Sequence, residues 1–490
     1  MTHPPDLYAT LGVGRDATAA DVEAAYASWE ARGEAGEAIA TDMWERLRYA
    51  REVLSNPQRR SLYDSLVAET TAAGLDVRLT LSAERLALMD TPQVLYTLLT
   101  IAAGQPDKPP RPLNVGLIID RSTSMRGERL EKVLAAVGLL LDKLGADDAL
   151  SLVSFSDRAE VVLPAAVLGA AAQHARRETA AAWSDPRRSL RAIVASGGTE
   201  IFQGLSAGLE QVSALADDDR ISHLILLTDG HTYGDAADCL RLAERAAARG
   251  IGLTAFGLGA DWNDSFLDAL VAPSGGQSRF IETPADVLPH LESRLQGLGA
   301  VHARNVTLRG TWPGQLTLRG GFKLAPFPQP LPLDADPVPL GDLEGRGPLV
   351  VLLEFLVAPL PVAARFRLPL EVRYRAPGGG EEAIARGAQL VALSGATDQT
   401  PPAALIEAAR RLNLYRMQEK AWEEAQSGKL DTAAARMRQL TARYLETGDL
   451  RLAKQAQLEA QRLSHLGTMS LEGRKVLKYG TRSLLGQTKP

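Results

Sequence analysis

The chain is nearly free of cysteine: Cys239 is its only one in 490 residues. An intramolecular disulfide is therefore impossible, which points to a reducing compartment. Cys239 sits in a stretch with helical periodicity, residues 236–248, and reads as a small buried hydrophobe. Long apolar runs are missing too, and none approaches the roughly 18 residues that a membrane-spanning helix needs. The start, Met1-Thr2-His3-Pro4-Pro5-Asp6, has neither the basic opening nor the apolar centre of a secretory signal. No block of one charge stands out, and Lys+Arg 54 against Asp+Glu 59 gives a net charge of -5, which argues against a dedicated nucleic-acid binder. The expectation is a soluble, cytoplasmic protein with neither nucleic acid nor membrane as a partner.

At about 100–200 residues per domain, the length implies three or four units. Residues 6–66 predict a small helical unit, with Thr18 capping a helix whose apolar face is Val22, Ala25, Tyr26 and Trp29. A second helix follows over residues 42–54 and a third over 59–66. The motifs Asp6-Leu7-Tyr8, Leu11-Gly12-Val13, Ala24-Ala25-Tyr26, Tyr49-Ala50-Arg51-Glu52-Val53-Leu54-Ser55-Asn56-Pro57 and Tyr63-Asp64 resemble a J-domain of the DnaJ type. The resemblance implies contact with a heat-shock chaperone, whose ATPase such domains stimulate through a His-Pro-Asp triplet before the third helix. Here the corresponding loop, residues 32–41, contains neither His nor Pro. The resemblance therefore implies a J-like shape over residues 1–70 and docking without ATPase stimulation.

Residues 77–81 alternate as a strand and 94–101 form a longer apolar strand, too few to close a sheet. Pro106, Pro109, Pro110 and Pro112 then make a stiff linker. Residues 111–298 alternate strand and helix, which predicts a doubly wound, mostly parallel sheet with helices on both faces. Strands return over 299–396, separated by Gly- and Pro-rich turns, with candidates at 305–309, 315–318, 349–356, 364–374 and 388–393. Together with residues 76–104 they would make one β-sandwich into which the α/β unit is inserted. Residues 400–490 predict helical hairpins, with helices over 404–425, 430–445 and 450–466. Arg474, Lys475, Lys478 and Arg482 make the tail basic, and the expectation is a solvated face. The fold class expected is multidomain α/β.

The chemistry concentrates at Asp120-Arg121-Ser122-Thr123-Ser124, where the apolar run 115–119 stops. One carboxylate and two hydroxyls at spacing two can turn several oxygens toward one point, and hard divalent cations take oxygen ligands. Two further polar loops fall at the same expected sheet edge, Gly197-Gly198-Thr199-Glu200 and Thr228-Asp229-Gly230. In open α/β sheets, ligands bind beyond the carboxyl ends of the strands. Asp120 taken alone would more often cap the next helix than bind a metal.

With Ser124-Met125-Arg126-Gly127 and Phe155-Ser156-Asp157 added, residues 113–298 resemble the von Willebrand factor A domain, whose metal-ion-dependent adhesion site is Asp-x-Ser-x-Ser with a distant Thr and Asp. The resemblance implies Asp120, Ser122, Ser124, Thr199 and Asp229 as the metal-site residues. It implies Mg²⁺ first and Mn²⁺ second, with a coordination position left for an acidic residue of a protein partner. Glu200 stands where relatives often carry a small polar residue. The order of units resembles bacterial intracellular proteins that work beside ATPases or chaperones. An enzyme reading would take Ser122 or Ser124 as nucleophile with His231, but no Gly-x-Ser-x-Gly elbow encloses either serine. A phosphate-binding loop is excluded, since no Gly-x-x-x-x-Gly-Lys occurs.

Overall fold

The computed structural model describes residues 7–14, 17–34, 41–57, 59–60, 75–104, 111–169, 181–231, 234–345, 347–376, 380–395 and 399–486. The chain divides into two compact units, Met1–Leu75 and Asp76–Pro490.

The first unit carries helices α1 (Leu7–Leu11), α2 (Ala19–Glu34) and α3 (Thr41–Leu54). A reciprocal cap opens α2: the Thr18 amide donates to Asp21 Oδ2 at 2.6 Å and the Asp21 amide donates to Thr18 Oγ1 at 3.2 Å. Leu7, Tyr8 and Leu11 pack with Val22 and Tyr26 of α2 and Leu47, Ala50 and Leu54 of α3. Most of the loop that would carry a His-Pro-Asp triplet, and most of the helix expected over 59–66, lie outside the described residues.

In the second unit the strands are β1 (Leu75–Leu81), β2 (Arg85–Ala87), β3 (Gln93–Ala103), β4 (Leu113–Asp120), β5 (Ala149–Phe155), β6 (Ala159–Val167), β7 (Ile221–Thr228), β8 (Gly252–Leu258) and β9 (Gln277–Ile281). They continue as β10 (Val301–Gly310), β11 (Leu316–Ala325), β12 (Gln329–Pro330), β13 (Val338–Glu344), β14 (Leu349–Val357), β15 (Ala364–Arg375) and β16 (Glu381–Leu393). The helices are α4 (Glu128–Leu141), α5 (Ala181–Ser184), α6 (Pro186–Arg191), α7 (Ile201–Ala214), α8 (Ala236–Ala248), α9 (Asp264–Val271) and α10 (Val287–Gly299), then α11 (Ala403–Gln426), α12 (Leu430–Glu446), α13 (Leu450–Leu466) and α14 (Leu471–Gly486).

Strands β6-β5-β4-β7-β8-β9 form one six-stranded sheet, parallel throughout except for edge strand β6. Strand β4 lies near its middle and is buried along its whole length, which explains why 115–119 reads as a continuous apolar run instead of alternating. Successive side chains go to opposite faces. Val115, Leu117 and Ile119 meet Leu130, Val133 and Val137 of α4 and Leu291 and Leu298 of α10. On the other face Ile118 packs with Ile201, Leu205 and Leu209 of α7, a cluster that also includes Cys239 of α8. The lone cysteine is thus a buried core residue, with its thiol held well above the ordinary range by burial.

Two five-stranded sheets, β1-β3-β14-β11-β12 and β13-β10-β15-β16-β2, flank this unit in the chain. Strand β3 pairs antiparallel with β14 from Gln93↔Val357 to Ile101↔Leu349, and β2 pairs with β16. Strands from before and after the six-stranded sheet therefore share hydrogen-bonded ladders. Strand β13 falls in a stretch that the sequence assigned to turns; its pairing with β10 passes through register shifts and Gly341, which breaks the alternation that would have announced it.

The C-terminal helices pack around Leu414 and Ala421 of α11, Met437 and Leu440 of α12, Ala456 and Leu463 of α13, and Val476 and Leu477 of α14. The expectation of a solvated basic tail is wrong. Arg474, Lys475, Lys478 and Arg482 are all buried, each 5% exposed or less. The Arg474 guanidinium meets Asp264 at 2.9 Å, Lys478 Nζ meets Asp268 at 2.8 Å and also pairs with Asp264, and Arg482 grips Asp268 through Nη2 at 2.5 Å. Lys475 Nζ donates to the Ala260 carbonyl at 2.5 Å and lies over the Trp262 ring. The cationic face of α14 is thus the seam by which it holds α9, and the two aspartates that neutralise it lie more than 200 residues upstream. No local pattern could have announced them.

Candidate functional site

Asp120 is the last residue of β4, and the chain turns there without a regular cap. Ser122 precedes a single 3-10 turn, Thr123–Met125, and its amide donates back to Asp120 Oδ1 at 2.8 Å. The other carboxylate oxygen accepts the Thr228 hydroxyl at 2.6 Å from the end of β7. Asp120 is fully buried and its carboxyl is pushed above the ordinary range by burial; hydrogen bonds from Ser122 and Thr228 oppose the rise and the neighbouring Asp229 charge adds to it.

Asp229, also fully buried, follows β7 directly and accepts the Ser124 hydroxyl on Oδ1 at 2.7 Å. The Ser122 and Ser124 hydroxyl oxygens are 3.0 Å apart. Thr199 enters from the loop before α7. That loop is fastened to the first: the Thr123 amide and hydroxyl both donate to the Gly197 carbonyl, at 3.0 and 2.9 Å, and the Ser196 amide donates to the Arg121 carbonyl. A Cβ on Gly230 would come within 2.8 Å of Thr199 Oγ1, so glycine at 230 is what lets the Thr199 hydroxyl lie against the Asp229 loop. The five expected residues thus come from three loops at the carboxyl edge of one sheet. Ser124 is exposed while Asp120, Ser122, Thr199 and Asp229 are buried, so the cluster opens to solvent on the Ser124 side.

Three participants were not singled out as site residues by sequence reasoning. Thr228 fixes the second oxygen of Asp120. Asp157 accepts the Gly198 amide at 2.8 Å, and Gly197, at φ +78°, leaves no room for a side chain against the same carboxylate. Its signal was present in Phe155-Ser156-Asp157. Arg129, from the first turn of α4, donates to Asp229 Oδ2 at 2.6 Å and is about one-third exposed. Nothing in the sequence pointed to it, because a helical arginine five residues past a turn is ordinary surface chemistry. His231 is exposed and makes no hydrogen bond to Ser122 or Ser124 among the described residues.

The donor set suits a hard cation: three neutral hydroxyls and two buried carboxylates, Asp120 and Asp229, of which only Asp229 is paired with an arginine, so the cluster keeps negative charge for a cation to offset. Residues 114–294 match the family model for the von Willebrand factor type A domain. The chain carries a von Willebrand factor type A domain. Residues 403–487 match a second model, the Sll0103-like, C-terminal alpha-helical domain. The uncharacterized protein sll0103 of Synechocystis is 29% identical over 316 residues, 63% of this chain and 72% of that protein. Human inter-alpha-trypsin inhibitor heavy chain H4 is 29% identical over 193 residues, 38% of this chain but only 20% of its own length.

Among solved structures, a von Willebrand factor type A protein from Catenulispora acidiphila superposes with a TM-score of 0.65 at 18% identity, covering 83% of this chain and 96% of that one. The ArnB paralog VWA2 from Sulfolobus acidocaldarius gives 0.54 at 15% identity, covering 85% and 100%. At these identities the likeness is one of fold. It extends well beyond the type A domain, and no helix among the described residues is long and apolar enough to cross a membrane.

Proposed function

We propose that the type A domain is a divalent-cation-dependent protein-binding module. Asp120, Ser122, Ser124, Thr199 and Asp229 would hold Mg²⁺, with Mn²⁺ the alternative. When bound, the ion supplies a position of positive charge that a partner's Asp or Glu carboxylate completes. The observation that carries this reading is the gathering of those oxygens, with Ser122 Oγ 3.0 Å from Ser124 Oγ and Ser124 Oγ 2.7 Å from Asp229. Asp120 and Asp229 supply the buried charge, Thr228 and Arg129 orient it, and the exposed Ser124 leaves the partner a way in. A serine hydrolase is the weaker reading, because Ser124 gives its proton to Asp229 and not to an imidazole.

We read the two five-stranded sheets as a β-sandwich that carries the type A domain. The N-terminal helices are read as a J-like docking element for a chaperone or ATPase complex in the cytoplasm. Titration calorimetry of the full chain with MgCl₂ tests the core of the proposal. Heat of binding that disappears in Asp120→Ala supports it; an unchanged isotherm in that variant, or none in the wild type with either Mg²⁺ or Mn²⁺, refutes it.

A further inference from the structure

A groove of about 840 Å³ runs away from the candidate metal site between α4 and α6. Its first wall begins at Arg126 and Gly127, immediately past Ser124, and continues along Leu130, Leu134 and Gly138, one helical stripe. Its second wall is α6 and residues 193–195, which lead directly into the Gly197-Gly198-Thr199 loop. Both walls therefore end in loops of the site. The floor is apolar, and two large apolar side chains stand open to solvent at its edge, Val194 at 68% and Leu139 at 49% exposure. Between residues 126 and 139 the groove is roughly 20 Å long, enough for three to four helical turns.

The charges at the rim decide what fits. Arg126, Arg187 and Arg191 face a single acid, Glu131, in a chain whose net charge is -5. The Arg126 guanidinium has no ion-pair partner among the described residues and stands at the end beside the site. Arg187 pairs with Asp142, and the Arg191 Nε donates to the Arg187 carbonyl. An arginine-rimmed apolar groove takes an amphipathic helix whose apolar side chains recur every three or four residues and whose flanks are acidic.

We propose that the groove seats such a helix from a protein partner, with acidic residues at the end that lies against Arg126 and the metal site. The inference deepens the metal-dependent reading: the cation takes one carboxylate and the groove supplies the remaining contact area and the direction. It explains why the metal site alone, which recognises only a carboxylate, would not have to distinguish one partner from another.

The test is selection of a displayed library of random 16-residue peptides on the immobilised full chain in MgCl₂. The enriched peptides should combine an acidic end with apolar residues at helical spacing. Labelled synthetic copies, followed by fluorescence anisotropy, should bind at least tenfold more weakly to Val194→Asp, Leu139→Asp and Arg126→Glu. Val194→Asp and Leu139→Asp should keep the wild-type melting temperature and Mg²⁺ isotherm. Absence of enrichment, or peptides whose affinity ignores all three substitutions, overturns the groove proposal. Peptides lost in EDTA yet indifferent to the groove variants overturn it while leaving the metal reading intact. Peptides that bind equally in EDTA but fail on the groove variants support the groove and count against the metal reading. A wild-type dimer in sedimentation equilibrium that Val194→Asp dissociates assigns the groove to a second copy and refutes the partner helix.

Discussion

Replacing Asp268 by Asn is expected to loosen α14 from the type A domain by ~3 kcal/mol, near the lower end of the ~3–5 kcal/mol seen when one partner of a buried ion pair is removed. Asp268 neutralises two cations at once, Arg482 at 2.5 and 2.9 Å and Lys478 at 2.8 Å, and both cations are almost fully buried. Burial alone would raise its carboxyl, yet Arg482 and Lys478 outweigh that and hold it far below the ordinary range. The lower end applies because the Asp268 side chain keeps 23% exposure, so water replaces part of what is lost. Asparagine preserves the size and removes only the charge, leaving Arg482 without its carboxylate beside Lys478, which keeps Asp264. Hydrogen exchange of the α14 amides should accelerate roughly a hundredfold, the equilibrium factor for ~3 kcal/mol. In a cycle with Arg482→Met, the double variant should cost clearly less than the sum of the singles. A cost below ~1 kcal/mol with no coupling, as for an exposed pair, would refute the view that this seam is a desolvated electrostatic clamp.

Arg129→Met should tighten Mg²⁺ binding by roughly fivefold, since it removes a cation 2.6 Å from Asp229; screening at this partly exposed side chain limits the gain to on the order of 1 kcal/mol, read by calorimetry. Asp157→Ala should cost no more than ~1 kcal/mol in urea unfolding, since the Gly198 amide it releases is exposed and water takes its place, and should weaken Mg²⁺ several-fold by releasing the Thr199 loop. Stability should fall on acidification below about pH 6.5: burial, with Arg294 adding to it, keeps His223 neutral in the fold, whereas the unfolded chain takes up the proton. His223→Gln should flatten the urea midpoint between pH 7 and pH 5.5; an unaltered slope would remove His223 as the cause. In the alkaline range, burial pushes the Lys475 amine down to about 8, so the unfolded chain holds more protons from there up to its ordinary value. Stability should rise across that window, and Lys475→Met should abolish that part of the rise.

Much of the α/β unit was legible because its signals are local. The run ending at Asp120 is apolar because β4 is covered on both faces, and helices such as α4 show the stripe that such cover requires. The five candidate site residues stand in three separated polar loops, and it was the resemblance to the type A domain that joined them into one set. Strand β13 escaped because its register breaks at Gly341, and the fourth C-terminal helix escaped because its buried face is cationic.

The sequence by itself determined the alternation of strands and helices, the polar loops where strands end, and the lone buried cysteine, since each follows from burial periodicity over a few residues. Tertiary structure alone decided how charge is disposed. It brought Asp264 and Asp268 against Arg474, Lys478 and Arg482 from the far end of the chain, set Arg129 against Asp229, and placed Arg126, with no ion-pair partner among the described residues, at the mouth of an apolar groove. A charged side chain is solvated or buried according to what faces it, and that partner is chosen by the fold, not by its neighbours in sequence.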